Sequence, residues 1–332
     1  MVGLLILLLM IFAVFLIWAG SEWVTDSLIP VANKLGTSYI AVTTLLISFT
    51  LSVPEIFSAI YSFLMGHMDI GLGVIIGSVM INIGMTVGLS AMIKPLFVER
   101  TVVIRDGIFL IIIAVIVMLM GADLNYDRSE GIILLLLFIP YVLNVWTFEK
   151  TRSKKERKLK VETMNRDLDR LGTMEKILTP KPSVFVFILG EAMLFIGSYF
   201  FSFSLIKISE MLPVPEILVG VLIGAIGTEI PNIAAAIQGT LKGFRDAAIT
   251  ETFGSNIFTF LVALGIFLLI SPLHIRAKVF YYDLVWMIGI HVLMLAFIFK
   301  GYKFKEASLT RLEGFLLFAF YVGIIAFDTF MH

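Results

Sequence analysis

Residues 45–60 read LLISFTLSVPEIFSAI, and residues 222–237 read LIGAIGTEIPNIAAAI. Each is an apolar stretch with a central proline, Pro54 or Pro231, and one carboxylate beside it, Glu55 or Glu229. The segments lie 177 residues apart, and the match extends outward at that offset without a gap. Gly20-Ser21 meets Gly197-Ser198, Ala59-Ile60 meets Ala236-Ile237, and Asp69 meets Asp246. Farther on, Gly77-Ser78 meets Gly254-Ser255, Pro95-Leu96 meets Pro272-Leu273, and Asp106 meets Asp283. Near the end of each half the offset becomes 183, where Glu130-Gly131 meets Glu313-Gly314. The chain reads as an internal duplication.

Composition says what is duplicated. Of 332 residues, 59% are apolar and 15% charged, and the mean hydropathy is +1.00. A soluble domain carries about a quarter charged residues, so the chain reads as a polytopic membrane protein. Apolar stretches at about 1–19, 37–65, 70–93, 107–122, 131–148, 183–206, 217–241, 252–273, 284–299 and 314–330 make ten spans, five in each half. The first has no basic leader region and no small-residue cleavage site, so it reads as an uncleaved span. An odd number of spans makes the second half enter the membrane from the opposite side, an architecture found in secondary transporters. The expected fold is therefore all-α, with ten transmembrane helices arranged as two inverted five-helix repeats, 1–148 and 183–332.

The intervening segment 149–182 opens EKTRSKKERKLK and holds eleven Lys/Arg and six Asp/Glu. It reads as a solvated cytoplasmic linker beside anionic lipid rather than a nucleic-acid patch. On that assignment both termini lie outside the cell membrane. Of the 25 Lys/Arg, 21 then fall on the cytoplasmic side, and only Arg128, Lys207, Arg276 and Lys278 fall on the other, a strong positive-inside bias. The expected partners are transported cations and the bilayer, with no nucleic acid; the sequence leaves the oligomeric state open, a monomer being plausible. The chain has no Cys, no H-E-x-x-H and no His in the four central segments, which argues against thiolate chemistry, a metalloprotease and enzymes generally.

Glu55 and Glu229 carry the functional argument. A carboxylate at the bilayer centre costs several kcal/mol unless it is paired or hydrated, and no Lys or Arg lies within either span. The two either face a polar cavity or are protonated and hydrogen-bonded within the bundle. The adjacent prolines free backbone carbonyls, and a bound cation is one partner for these. Helical spacing widens the polar face: Ser48, Ser52 and Glu55 stand at i, i+4, i+7, as do Ala225, Glu229 and Asn232. The following spans offer Ser78 and Asn82, then Glu251, Ser255 and Thr259. This all-oxygen set suits hard cations such as Na⁺ or Ca²⁺. Glu251 reads as an extra ligand, a carboxylate guarding access, or a span-boundary residue. Glu191 and His291 read as hydrogen-bonded bundle residues, with a proton relay as the alternative for His291. Asp69 and Asp246 read as helix N-caps, and Gly73/Gly77 and Gly220/Gly224 as sites of close helix packing.

These residues resemble the cation/calcium antiporters, in particular the sodium/calcium exchanger branch, over essentially the whole chain. The resemblance rests on S-V-P-E (52–55) and G-S-x-x-x-N-I-G (77–84) within 45–90, and on G-T-E-I-P-N (227–232) and G-S-N-I (254–257) within 220–267. It implies alternating-access exchange of Ca²⁺ against Na⁺ at a midplane site, with no permanently bound cofactor and with long, mobile first and sixth spans. By motif position, Ser52, Glu55, Ser78, Asn82, Thr228 and Ser255 match ligands, and Ser48 and Ala225 match backbone-carbonyl ligands. The sequence departs from the family pattern in four places. Asn232 stands where the family has Glu, Glu229 where it has Ser, Thr50-Leu51 where it has Gly-Thr, and Thr259 where it often has Asp. The site thus keeps two core carboxylates in place of three, and altered selectivity or coupling is expected. H⁺-coupled exchange of Ca²⁺ or another cation is the alternative, and a passive cation channel a more distant one.

Overall fold

The computed structural model describes residues 2–35, 50, 52–151, 180–243, 245–300 and 306–330. In chain order its helices are α1 (Val2–Leu35), α2 (Val53–Leu64), α3 (Met68–Ile93), α4 (Arg100–Asp123), α5 (Arg128–Thr151), α6 (Val184–Ser209), α7 (Glu216–Leu241), α8 (Ala248–Ile270), α9 (Val279–Lys300) and α10 (Arg311–Phe330). Among the described residues, nine of these are long and apolar enough to cross a membrane; α2 is the short one. The expected start of the second span, including Ser48, and most of the basic segment lie outside the described residues. Large apolar side chains such as Leu4, Leu5 and Phe12 of α1 and Phe185 and Ile188 of α6 are exposed, as befits a lipid-facing surface.

The fold is helical but not purely so. Four short strands form two antiparallel ribbons: β1 (Leu96–Glu99) with β4 (Glu306–Leu309), and β2 (Asn125–Tyr126) with β3 (Leu273–His274). Leu96 faces Leu309 and Leu273 faces Tyr126, pairs related by the two sequence offsets. Each ribbon therefore joins one half of the chain to the other. Helix packing repeats the exchange. A Cβ on Gly314 of α10 would come within 2.7 Å of Gly88 O in α3, and one on Gly131 of α5 within 2.8 Å of Gly265 O in α8. Likewise α1 lies against α6 with Gly20 on Gly190 and Ala13 on Gly197. Small residues let these backbones touch, so dispersion and weak polar contacts act at short range where no hydrophobic gain between helices is available. Gly73 and Gly220 meet in the same way between α3 and α7.

Local devices recur too. Glu130 Oε2 accepts from Asp127 N, and Glu313 Oε2 accepts from Thr310 N, both at 2.8 Å, reaching back to cap α5 and α10 as in a capping box. Widened π-type turns occur at Asn82–Val87 and Thr259–Ala263, and again at Val103–Gly107 and Val279–Asp283. The first pair starts at the 177-residue offset.

Two expectations need correction. Pro231 does not interrupt its span: helix continues from Ala225 through Lys242, and the irregularity sits upstream in the π-type turn Gly220–Gly224. One proline removes one donor, which a well-packed helix tolerates. Pro54 stands in the first turn of α2, where no helical partner is lost. Nor do the two aspartates make capping hydrogen bonds. Asp69 lies one residue inside α3 and pairs with Arg276 at 2.7 Å, and Asp246 occupies the N-cap position of α8 without a side-chain bond. A nearby guanidinium outcompetes the helix N–H for Asp69.

The glycine contacts generate a test. Gly131→Leu drives a side chain into Gly265 O and Leu269 N, whereas Gly323→Leu in α10 meets nothing within 4 Å. Thermal unfolding followed by tryptophan fluorescence should show a loss of about 1–3 kcal/mol or more for the first and almost none for the second. Equal Tm values would sink the proposed close contact.

Candidate functional site

The polar positions of α2, α3, α7 and α8 converge. Ser52, Glu55, Ser78, Asn82, Ala225, Thr228, Glu229, Asn232, Ser255 and Thr259 are all completely buried. Ser52 Oγ and Ser255 Oγ lie 3.4 Å apart, tying the start of α2 to α8. Of the residues expected from sequence, Ser48 alone lies outside the described set.

The two carboxylates are treated differently. Glu229 sits between two amides: Asn82 Nδ2 donates to its Oε1 at 3.2 Å, and Asn232 Nδ2 donates to its Oε2 at 2.7 Å. Among the described residues, neither oxygen of Glu55 has a hydrogen-bond partner of normal geometry. The Glu229 carboxyl is close enough to interact with it directly. Among the described residues, Asn232 Oδ1 and Thr259 Oγ1 are likewise buried without partners, and Ser78 Oγ, near Glu229, makes no hydrogen bond of normal geometry. Native proteins leave very few buried polar atoms unpaired. Here the unpaired atoms are oxygens, clustered on facing helices, with two acidic groups among them. A hard cation is the ligand that complements such a set.

The swapped pair 229/232 has a local logic. The two residues stand at i, i+3, so the amide of Asn232 reaches the carboxylate one turn back. Thr228 uses its hydroxyl otherwise. Its Oγ1 lies 3.1 Å from both Gly224 O and Ala225 O, and it donates within its own helix. The Ala225 carbonyl thus already has a neighbouring donor, and the Thr228 oxygen keeps its lone pairs.

Sequence reasoning passed over the residues that hold Asn82. Its Nδ2 has two protons and three acceptors in range: Asn256 Oδ1 at 3.0 Å, Glu229 Oε1 at 3.2 Å and Ser255 Oγ at 3.4 Å. Asn256 Nδ2 in turn donates to Val79 O at 3.1 Å and to His291 Nε2 at 3.3 Å. His291 Nδ1 lies 2.6 Å from Met287 O. A carbonyl only accepts, so Nδ1 carries the proton and Nε2 is left as the acceptor. His291 is therefore a hydrogen-bonded bundle histidine with both nitrogens engaged, as the blander expectation had it. Glu191 matches its expectation as well, accepting from Thr50 Oγ1 at 3.1 Å. Asn256 belongs to the quoted G-S-N-I, but it is rotated about 100° from Ser255, so a search along the 251/255/259 face misses it. Its repeat mate is Val79, the residue whose carbonyl it caps.

Comparison with known proteins bears on the family and the fold. The profile of the family described as "Sodium/calcium exchanger protein" matches residues 5–147 and 182–330. Sodium/calcium exchanger MaX1 of Methanosarcina acetivorans is 27% identical over 344 residues, covering 96% of this chain and 97% of its own. Putative antiporter CaxA of Alkalimonas amylolytica is 27% identical over 315 residues, with 93% and 94% covered. A solved structure of the sodium-calcium exchanger NCX_Mj, soaked with Na⁺ and Sr²⁺, superposes with a TM-score of 0.67 at 23% identity, covering 98% of this chain and 97% of that one. At this identity the superposition shows a shared fold.

The bare carboxylate of Glu55 yields a prediction. Glu55→Gln removes an unpartnered buried acid, so the cation-free variant should unfold at or above the wild-type Tm. It should also lose stabilisation by Ca²⁺, which for a ligand at a hundred times its Kd is worth about 2.7 kcal/mol. A Ca²⁺-induced Tm rise equal to that of the wild type would rule Glu55 out as a ligand.

Proposed function

This chain belongs to the sodium/calcium exchanger protein family, and on that premise we propose that it is a secondary antiporter exchanging Na⁺ against Ca²⁺ by alternating access. The observation that carries the reading is the Glu55 carboxylate. It is fully buried, both oxygens lack donors among the described residues, and it interacts with the amide-held Glu229. A bare anion in such surroundings is costly, so the site favours the cation-loaded state, and charge balance couples the loading of one ion to the release of the other.

In this reading Glu55 and Glu229 supply the negative charge. Ser52, Ser78, Asn82, Thr228, Asn232, Ser255 and Thr259 supply neutral oxygens, and the Ala225 carbonyl and Ser48 complete the shell. The layout is ten helices in two inverted repeats, 1–148 and 183–332, around a cytoplasmic segment 149–182, with both termini outside the cell membrane. The cross-paired ribbons and the offset-related π-type turns support that layout. Inverted halves give two related arrangements of one bundle against the other around a fixed site. Na⁺ and Ca²⁺ are the transported species, and no resident cofactor is required.

The test is ⁴⁵Ca²⁺ uptake into proteoliposomes loaded with Na⁺, run beside a pH gradient without Na⁺. Uptake should follow the outward Na⁺ gradient and be absent with the pH gradient alone. Uptake driven by protons alone would overturn the Na⁺ coupling and make a core glutamate a proton carrier. Uptake without any counter-gradient would indicate a channel. The double variant Glu229→Ser/Asn232→Glu, which restores the usual family order, should retain flux and shift the Na⁺-to-Ca²⁺ preference about tenfold, equivalent to ~1.4 kcal/mol. An unchanged preference would remove this pair from the selectivity element.

A further inference from the structure

Glu251 has no role in the site as described so far. It is the fourth residue of α8, one helical turn before Ser255, or about 6 Å along the axis. It therefore lies between the central site and the α7–α8 connection at 243–247. Its Oε1 is buried with no hydrogen-bond partner among the described residues, while the residue as a whole stays partly accessible. No described Lys, Arg or His pairs with it. It interacts electrostatically with both Glu229 and Glu55, and among the described residues both Glu55 oxygens are buried without a hydrogen bond of normal geometry. Among the described residues, no three acidic or histidine side chains close around one point, so Glu251 does not share a single ion with the other two.

The repeat mate of Glu251 differs. It is Val74, completely buried, with its Cγ2 only 2.6 Å from where a Cβ on Gly224 would stand. At repeat-related stations one half thus carries a carboxylate and the other a close aliphatic packing of α3 against α7.

We propose that Glu251 forms a second cation-binding position, an outer subsite for Na⁺ or Ca²⁺ on the approach from the α7–α8 side. A hard cation entering from that side meets Glu251 before it reaches Glu229 and Glu55. This inference rests on the exchange function proposed above. It also places a third carboxylate near a centre that has Thr259 where the family often has Asp. A competing structural role, in which Glu251 only offsets the positive end of the α8 dipole, would leave ion affinity untouched.

The experiment measures Na⁺-dependent ⁴⁵Ca²⁺ flux in right-side-out and inverted membrane vesicles for wild type, Glu251→Gln and Glu251→Asp. Glu251→Gln should keep flux but raise the apparent Ca²⁺ KM about tenfold on the α7–α8 face alone. Glu251→Asp should recover part of the loss. Unchanged KM on both faces, or equal shifts on both, would overturn the subsite. Complete loss of flux in Glu251→Gln, with Glu251→Asp active, would also overturn it by moving Glu251 into the central site. Were Glu251→Gln unable to fold, the Glu251→Asp vesicles decide: a smaller KM rise on the same single face supports the subsite, and wild-type values on both faces refute it. No Na⁺-dependent flux in the wild type would refute the exchange function, and the subsite with it.

Discussion

Two carboxylates buried in an apolar bundle set the terms for everything around them. Hydrocarbon offers no hydrogen bonds, so each acidic oxygen must find its partners in the protein or in a bound ion. Glu229 finds them in Asn82 and Asn232. Asn82 is aimed by Asn256, Asn256 by Val79 O and His291, and His291 by Met287 O. One buried charge thereby fixes side chains on α7, α3, α8 and α9 in sequence. Each member has one satisfying orientation, which makes the network rigid as long as all of it is present. Glu55 stands at the other extreme, with no hydrogen-bond donor among the described residues, and in the proposed reading a cation meets its demand.

The scaffold meets a different requirement, that helices approach closely without a hydrophobic gain between them. Glycine-on-backbone contacts between α3 and α10, between α5 and α8, and between α1 and α6 provide it. The exchange of ribbons, β1 with β4 and β2 with β3, means that neither half completes its own edge. The π-type turns at Asn82 and Thr259 start at matched site residues. Such turns loosen the regular helix ladder at functional positions, and here they begin where polar groups must turn inward.

The duplication, the apolar spans and the polar face were legible because each is a periodic or offset signal. Lone carboxylates beside Pro54 and Pro231 stood out for the same reason. What escaped was determined by partners distant in sequence. Asn256 lies off the helical face that Glu251, Ser255 and Thr259 define, and its importance appears only when Asn82 and His291 arrive from other helices. Asp69 reads locally as a cap, and only the fold brings Arg276 to it. Pro231 reads as a break, yet the packing of α7 carries the helix through it. Local patterns specify where elements and charges are; they do not specify which neighbour wins a competition for a hydrogen bond.

The repeat also shows where symmetry has been given up. At the 177-residue offset, Ser52 corresponds to Glu229 and Glu55 to Asn232. Each half contributes one acid and one neutral polar residue, but in opposite order. A two-fold arrangement with acids at matched positions would present equivalent carboxylates to both faces of the membrane. Here one acid is displaced by a helical turn, or about 4.5 Å over three residues, and it falls within reach of Asn82 while the other does not. Val74, the repeat mate of Glu251, breaks the symmetry again. Inverted repeats make inward and outward states of similar energy by construction. Substitutions that differ between the halves are what separate the two, and in this chain they include the two acidic positions as well as the Gly73–Gly220 contact, whose repeat mates are Thr250 and Thr43.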